Sequence, residues 1–297
     1  MLIINDKPGQ LGNQLWSYAP FIAFCLKNKV TFLTLYFEDN YHLFENLNRF
    51  DNIRFGLARK GQIDIYFRKI LLRGIRTIPE SILKSLKIFA SRDHWKNESW
   101  DEPTLLNNSN FVFLGAATHR KTNLYLEEFH ENLRLIFQPK ATHRMKVEQM
   151  FNTARRNFDI IVGVHIRRGD YQEFLGGIYY FGDDTYNNYI LQIANDTSLS
   201  GKKIGFLLCS NDSLDIGTFA PHGVFQIDSS TGIEDLYGLS LCDFIFGPPS
   251  TFSMWASYYG HVPLKFIKYK TEDFSIKDFS VIVAQDTFAN GSVLTHD

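Results

Sequence analysis

Ile160-Ile161-Val162-Gly163-Val164-His165-Ile166-Arg167-Arg168-Gly169-Asp170 is the stretch that decides the fold of this chain. Its first half is apolar, rich in β-branched residues and without helical period, which predicts a buried strand. Two arginines, a histidine and an aspartate then arrive together where that strand should end. In open α/β sheets, ligands bind in the crevice beyond the carboxyl ends of the strands. Paired guanidinium groups at such a place suit an anion, and a diphosphate matches their fork geometry best. The stretch therefore predicts a phosphate clamp serving a nucleotide-activated substrate. If strand geometry continues, Arg167 and Arg168 point to opposite faces, so that one meets the ligand and the other holds Asp170 or the opposite wall.

Strands and helices alternate on the carboxyl side of this stretch. Helices are predicted near 185–194, 233–241 and 251–259, with strands at 204–210, 224–227, 243–247 and 264–267. On the amino side, strands are expected at Leu2-Ile3-Ile4, 30–35 and 111–115. A helix is expected over 15–27, irregular helical sequence over 44–100, and further helices over 124–136 and 142–157. Such alternation implies parallel sheets covered by helices. The reading is an α/β protein of two domains facing across a cleft, residues 1–155 and 156–297.

Two further loops join the arginine cluster as candidates. Gly247-Pro248-Pro249-Ser250-Thr251-Phe252 ends a strand, forbids helix at its two prolines and offers Ser250 or Thr251 as an N-cap. The first amides of the following helix then form a second anion site at the same sheet end. Cys209-Ser210-Asn211-Asp212-Ser213 ends another strand and is read either as part of that crevice or as a plain turn. Near the amino terminus, Gly9-Gln10-Leu11-Gly12-Asn13-Gln14 is a glycine loop between strand and helix, but it is neither a dinucleotide fingerprint nor a P-loop.

The totals exclude several classes. With 297 residues, 44% hydrophobic and 21% charged, the chain has the composition of a globular protein. Its net charge of −1 argues against general nucleic-acid binding. No D-x-D motif occurs and the histidines do not cluster at ligand spacing, so no metal is expected. Cys25, Cys209 and Cys242 read as buried thiols of a reducing compartment. Met1-Leu2-Ile3-Ile4 is too short for a signal peptide's apolar core, no run reaches the roughly 18–20 apolar residues of a spanning helix, and the N-x-S/T triplets read as chance. The expectation is a cytoplasmic protein. The segment Ile65–Phe89, with Arg68, Lys69, Arg73, Arg76, Lys84 and Lys87 among apolar residues, is either a solvated basic face or a peripheral contact with the inner face of an anionic membrane.

The chain resembles the α-1,2-fucosyltransferases of glycosyltransferase family 11, and the wider α-1,2/α-1,6/protein O-fucosyltransferase group. Gly9-Gln-Leu-Gly-Asn-Gln-Leu-Trp-Ser-Tyr-Ala19, His165-Ile-Arg-Arg-Gly-Asp-Tyr171 and Glu234-Asp235-Leu236 through Ser250-Thr-Phe-Ser-Met-Trp-Ala256 carry the resemblance, in the family's order. It implies a GT-B fold of two Rossmann-like domains, the amino-terminal one on the acceptor side and the carboxyl-terminal one binding the donor. It also implies GDP-fucose as donor, inversion at the anomeric carbon, no metal or cofactor, and a free or lipid-linked glycan acceptor such as a galactoside in a surface glycan (an O-antigen, for example).

Residue by residue, Arg167 would grip the β-phosphate and His165 would support the guanosine-diphosphate end. Asp235 would accept from the guanine N1–H and exocyclic amine, and Ser250 and Thr251 would add phosphate contacts. Arg168, Asn211, Asp212 and Phe252 complete the donor site in this reading. Gly12, Asn13 and Gln14 would face the cleft from the other domain. Asp170 is the candidate base, with Glu173 in reserve. Gly247-Pro248-Pro249 and Met254 stand where the family more usually has Ala-Asn and Trp, and the loop 174–184 follows no family pattern. Other outcomes are another GDP-sugar or acceptor, a non-catalytic glycan-binding relative, and an α/β enzyme acting on a different phosphate ester, which lacks its P-loop here.

Overall fold

A computed structural model describes residues 1–4, 8–34, 36–56, 74–75, 77–90, 110–114, 123 and 125–295. The chain divides into two compact units, Met1–Gln138 and Pro139–Asp297.

The first unit is built on a five-stranded parallel sheet of order β3-β2-β1-β5-β4, made of β1 (Leu2–Ile4), β2 (Phe32–Thr34), β3 (Ile53–Phe55), β4 (Ile88–Ala90) and β5 (Phe111–Leu114). Helix α1 (Leu11–Asn28) buries most of its length. Its Tyr18 meets the rings of Phe32, Phe37 and Phe55 edge-on at 5.7–6.2 Å and donates its hydroxyl to the Tyr36 carbonyl at 2.6 Å. Such aromatic pairs add about 0.5–1.5 kcal/mol each beyond area burial. Strands β3 and β4 fall where irregular helical sequence was expected. Three residues hold too little alternation to betray a strand, and their neighbours in the sheet supply the missing half of the pattern. Short helices α2 (Glu80–Ser85) and α3 (His130–Ile136) complete the described part, the latter covering only the end of the expected 124–136. Of Ile65–Phe89, residues 65–73 and 76 lie outside the described residues, while Lys84 pairs with Glu80 on the exposed face of α2. Among the described residues no helix is long and apolar enough to cross a membrane.

The second unit begins with helix α4 (Ala141–Ala154) and carries another five-stranded parallel sheet of order β10-β9-β6-β7-β8. Its strands are β6 (Ile160–Ile166), β7 (Ile204–Ser210), β8 (Val224–Phe225), β9 (Phe244–Gly247) and β10 (Leu264–Phe266). Helices α5 (Asp183–Ala194), α6 (Gly232–Leu239) and α7 (Thr251–Gly260) connect them, and the hairpin β11 (Ile282–Ala284) and β12 (Thr287–Phe288) follows. The sequence reading ended the first domain at residue 155, but the units part at Gln138. Helix α4 belongs to the second unit because Val147 packs near Gly238 and because His143 and Lys146 reach Glu234, both on α6.

Strand β6 is buried from Ile161 onward because both faces are covered. Val162, Val164 and Ile166 share a core with Tyr186, Tyr189, Ile190 and Ile193 of α5. On the opposite face Gly163 leaves room for Leu239 and Cys242, whose atoms would stand 2.6 and 3.1 Å from an added Cβ. Cys25, Cys209 and Cys242 are buried free thiols, and burial holds each of them well above the ordinary thiol range. Strand order reverses between β6 and β9. Chains leaving these two strands part to opposite sides, which opens a crevice at their carboxyl ends. Their close approach also dictates glycine at the end of β9, since a Cβ on Gly247 would lie 2.4 Å from the His165 carbonyl oxygen. Backbone on that side cannot swing away, so Gly247→Ala should destabilise the unit by about 3 kcal/mol, the upper end of ordinary overpacking. Denaturant unfolding of the two proteins measures this directly.

Candidate active site

Strands β6 and β7 run in register from Ile160↔Ile204 to Ile166↔Ser210, so the loops that follow emerge side by side. The Arg168 N–H donates to Asn211 Oδ1 at 2.8 Å, and Asn211 Nδ2 returns a bond to the Arg168 carbonyl at 3.3 Å. This side chain mimics one further step of sheet pairing and fixes the backbone on which both arginines stand. Gly169 then turns with φ +59°, a region that favours glycine.

The two arginines separate to opposite sides. Arg168 reaches the α5 side, where it pairs with Asp183, donates to the Phe181 carbonyl at 2.7 Å and lies over the rings of Tyr180 and Tyr186. Its guanidinium is thus committed to the protein wall. Arg167 donates to the Asp170 carboxylate at 3.0 Å and lies 5.1 Å over the Tyr171 ring. Asp170 remains largely exposed at 56%, while the Arg167 side chain is 13% exposed. Glu173 follows in the same turn and is exposed.

Two contacts join this cluster to the loop after β9. Tyr171 donates its hydroxyl to the Pro249 carbonyl at 2.6 Å, and the His165 ring stacks on Phe252 at 5.2 Å. His165 is buried, and burial first, then the Arg167 charge, lower its pKa to about 3, so the imidazole is neutral. Its Nδ1 is buried without a hydrogen-bond partner. Ser250 caps α7 by accepting from the Phe252 N–H at 3.3 Å, and Thr251 begins the helix. The two prolines therefore deliver a capped helix end at the arginine cluster, as the sequence implied.

Asp235 sits in the first turn of α6 and is 7% exposed. Burial raises its pKa to about 6. Its neighbour Glu234 is tied to α4 through His143 at 2.9 Å and Lys146 at 2.8 Å, and accepts from the Thr231 N–H at 2.9 Å. Although burial opposes it, these hydrogen bonds hold the Glu234 pKa at about 2. The Glu234 clamp escaped sequence reasoning. His143 and Lys146 share a face at i and i+3 on a polar helix, but nothing local says that a carboxylate faces them. Asp212 shapes its own turn, accepting from the Ser213 N–H and donating its backbone N–H to Ser210 Oγ.

Gly12, Asn13 and Gln14 are corrected in conformation. They were expected in a loop before a helix starting at Leu15, yet α1 starts at Leu11, because Gln10 is extended and its carbonyl accepts from the Gln14 N–H at 3.0 Å. Gly12 and Gln14 are buried, and Gln14 spends its amide inside the first unit, donating to the Gly9 carbonyl and accepting from Asn40. Asn13 is exposed in that first helical turn. Among the described residues no group of three or more His, Cys, Asp or Glu side chains is placed to hold a metal ion.

Two α/β units, each on a parallel sheet, define the GT-B class of fold with Rossmann-like domains. Glycosyl transferase family 11 matches residues 93–278. That is more than half of the chain, and the chain belongs to this family. Solved structures share the fold. Arabidopsis thaliana FUT1, a mutant in complex with GDP, is 14% identical, with 95% of this chain and 74% of that chain covered at a TM-score of 0.56. The fucosyltransferase NodZ from Bradyrhizobium is 15% identical, with 89% and 93% covered at a TM-score of 0.55. NodZ α-1,6-fucosyltransferase soaked with GDP-fucose is 17% identical, with 92% and 96% covered at a TM-score of 0.53. No curated protein matches the chain significantly.

Proposed function

We propose that the protein is an inverting, metal-independent fucosyltransferase that moves L-fucose from GDP-fucose to the 2-hydroxyl of a galactoside in a surface glycan. The observation that carries this reading is the joining of His165–Tyr171 to Pro249–Phe252 through the Tyr171 hydroxyl and the His165–Phe252 stack, at the switch point of the second sheet. GDP- and GDP-fucose-bound fucosyltransferases of the same fold support the choice of donor.

In this mechanism the acceptor oxygen attacks the anomeric carbon from the face opposite GDP. The bond from that carbon to the β-phosphate oxygen breaks, and GDP departs with the electron pair. Arg167 meets the charge developing on the leaving diphosphate, with the end of α7 at Ser250 and Thr251 beside it. Asp170 takes the proton of the acceptor hydroxyl. Glu173 is the reserve base in the same turn. His165, neutral and stacked on Phe252, supports the diphosphate end from beneath without adding charge. Asp235 receives the guanine N1–H and exocyclic amine.

Arg168 and Asn211, expected at the donor, also support the clamp. Arg168 anchors the wall at Asp183, and Asn211 fixes the backbone of the arginine pair. The reading places the protein in the cytoplasm. Turnover of GDP-fucose by the purified protein with galactosides, and linkage analysis of the product, test it. Transfer to another position, or from another GDP-sugar alone, contradicts it.

A further inference from the structure

The turn after the arginine cluster carries an apolar tip. Phe174, Leu175 and Ile178 are exposed at 42, 48 and 49%. Exposed apolar side chains gathered on one short loop, unlike ones scattered singly, make a candidate binding surface. The loop is held in this shape. Leu175, Gly176 and Gly177 all have positive φ, at 50, 70 and 78°. A Cβ on Gly177 would lie 2.8 Å from the Gln172 carbonyl oxygen. The Tyr180 N–H donates to the Gly177 carbonyl, Gln172 reaches the Tyr180 hydroxyl, and Arg168 grips the Phe181 carbonyl. A leucine in the left-handed region costs about 1 kcal/mol or more, yet the fold keeps it there with its side chain outward.

The tip is continuous with the candidate active site. Phe174 stacks on Tyr171 at 5.1 Å, and Tyr171 in turn carries Arg167 on its ring. Asp170 and Glu173 stand immediately before it in the chain, so a flat aromatic surface lies next to carboxylates. That pairing suits a sugar ring, whose C–H face packs on an aromatic ring while its hydroxyls donate to carboxylates. It suits an anionic lipid surface poorly, because exposed Glu173, next to Phe174 in the chain, sets negative charge beside the tip.

We propose that Phe174, flanked by Leu175 and Ile178, is the platform on which the acceptor's pyranose ring lies, and that it sets acceptor selectivity. This inference rests on the galactoside-transfer reading above. The test uses the full chain with GDP-fucose and methyl β-D-galactopyranoside. Phe174→Ala should raise the KM for the galactoside about tenfold, while the Kd for GDP stays within twofold of wild type. Phe174→Trp, which keeps a flat ring, should restore the KM, and Phe174→Leu, which keeps only the packing on Tyr171, should not. An unchanged KM in Phe174→Ala, or an equal loss in Phe174→Trp, overturns the platform. So does sedimentation of the wild type with phosphatidylglycerol vesicles that Phe174→Ala abolishes, since the tip would then meet lipid. Wild-type protein that fails to bind GDP overturns the donor reading instead. Binding of GDP without turnover of any galactoside removes the acceptor class and this inference with it.

Discussion

Arg167→Ala should abolish detectable fucosyl transfer while the protein still folds. A charge-assisted hydrogen bond from arginine contributes about 1.5–3 kcal/mol, so GDP binding should weaken by roughly ten- to a hundredfold. Turnover should fall further, by about a thousandfold or more, because removal of one preorganised donor to a developing oxyanion alone costs on the order of 10²–10³ in rate. The substitution also leaves Asp170 without its guanidinium at 3.0 Å, which disturbs the proposed base. Arg167→Lys should recover little, since an ammonium keeps the charge but cannot reproduce the planar fork over Tyr171. Circular dichroism and melting separate a lost clamp from a lost fold. Retained turnover in a folded Arg167→Ala protein would remove the phosphate-clamp assignment.

Asp235→Asn should make the protein more stable and a poorer binder of GDP. The native carboxyl has a pKa of about 6 against a reference of 3.8, so the folded state holds the proton more tightly than the unfolded one. Stability contributed by this group is therefore full at low pH, declines as pH rises from about 4 to 6, and stays reduced above that. The deficit at pH 7 is on the order of 3 kcal/mol. Asparagine carries no charge to desolvate, so urea unfolding should show the variant ahead by about 1–3 kcal/mol at pH 7, with the gain vanishing toward pH 4. The ligand side has the opposite sign. Only the carboxylate accepts from both guanine donors, so GDP affinity in the wild type should drop up to tenfold per pH unit below about 6. In the variant it should be roughly ten- to a hundredfold weaker at pH 7 and flat with pH. A buried carboxylate kept at the expense of stability is a signature of a binding site. Equal GDP affinity in both proteins would assign Asp235 to structure alone.

The carboxyl-terminal unit was legible because its elements announce themselves. The run 160–164 is apolar throughout, and 160–166 appears as β6 with the expected bounds, as 204–210 does as β7. Gly247 and the two prolines marked the end of a strand and the start of a capped helix, and the structure adds that no other residue than glycine fits beside the His165 carbonyl. The opposite throw of Arg167 and Arg168 follows from the two-residue period of the strand they leave.

What the sequence did not disclose depends on contacts between distant segments. Glu234 reads as an ordinary acidic residue near a helix start until His143 and Lys146 arrive from α4. Those same bonds moved the unit boundary to Gln138, because a helix is assigned by what it packs against and not by where a proline stops its predecessor. Strands β3 and β4, three residues each, take their conformation from the neighbouring strands. Gly12–Gln14 read as a loop because a glycine and two polar residues precede the apolar run, while their helical turn is set by the extended Gln10. Arg168 and Asn211 looked like ligand contacts because charge and amide groups at a sheet end usually are. Their partners Asp183 and the Arg168 backbone add a supporting role that depends on distant segments and that composition alone does not show.

The central claim is that the second unit holds GDP at the carboxyl ends of β6, β7 and β9. Thermal unfolding of the purified protein with GDP, UDP, CMP and dTDP, each with and without EDTA, tests it most directly. A ligand at a hundred times its Kd adds about 2.7 kcal/mol to the stability of the state that binds it. The account predicts a clear rise in Tm with GDP alone, unaffected by EDTA. No rise with GDP, a rise shared equally by the other nucleotides, or one that EDTA removes would contradict it.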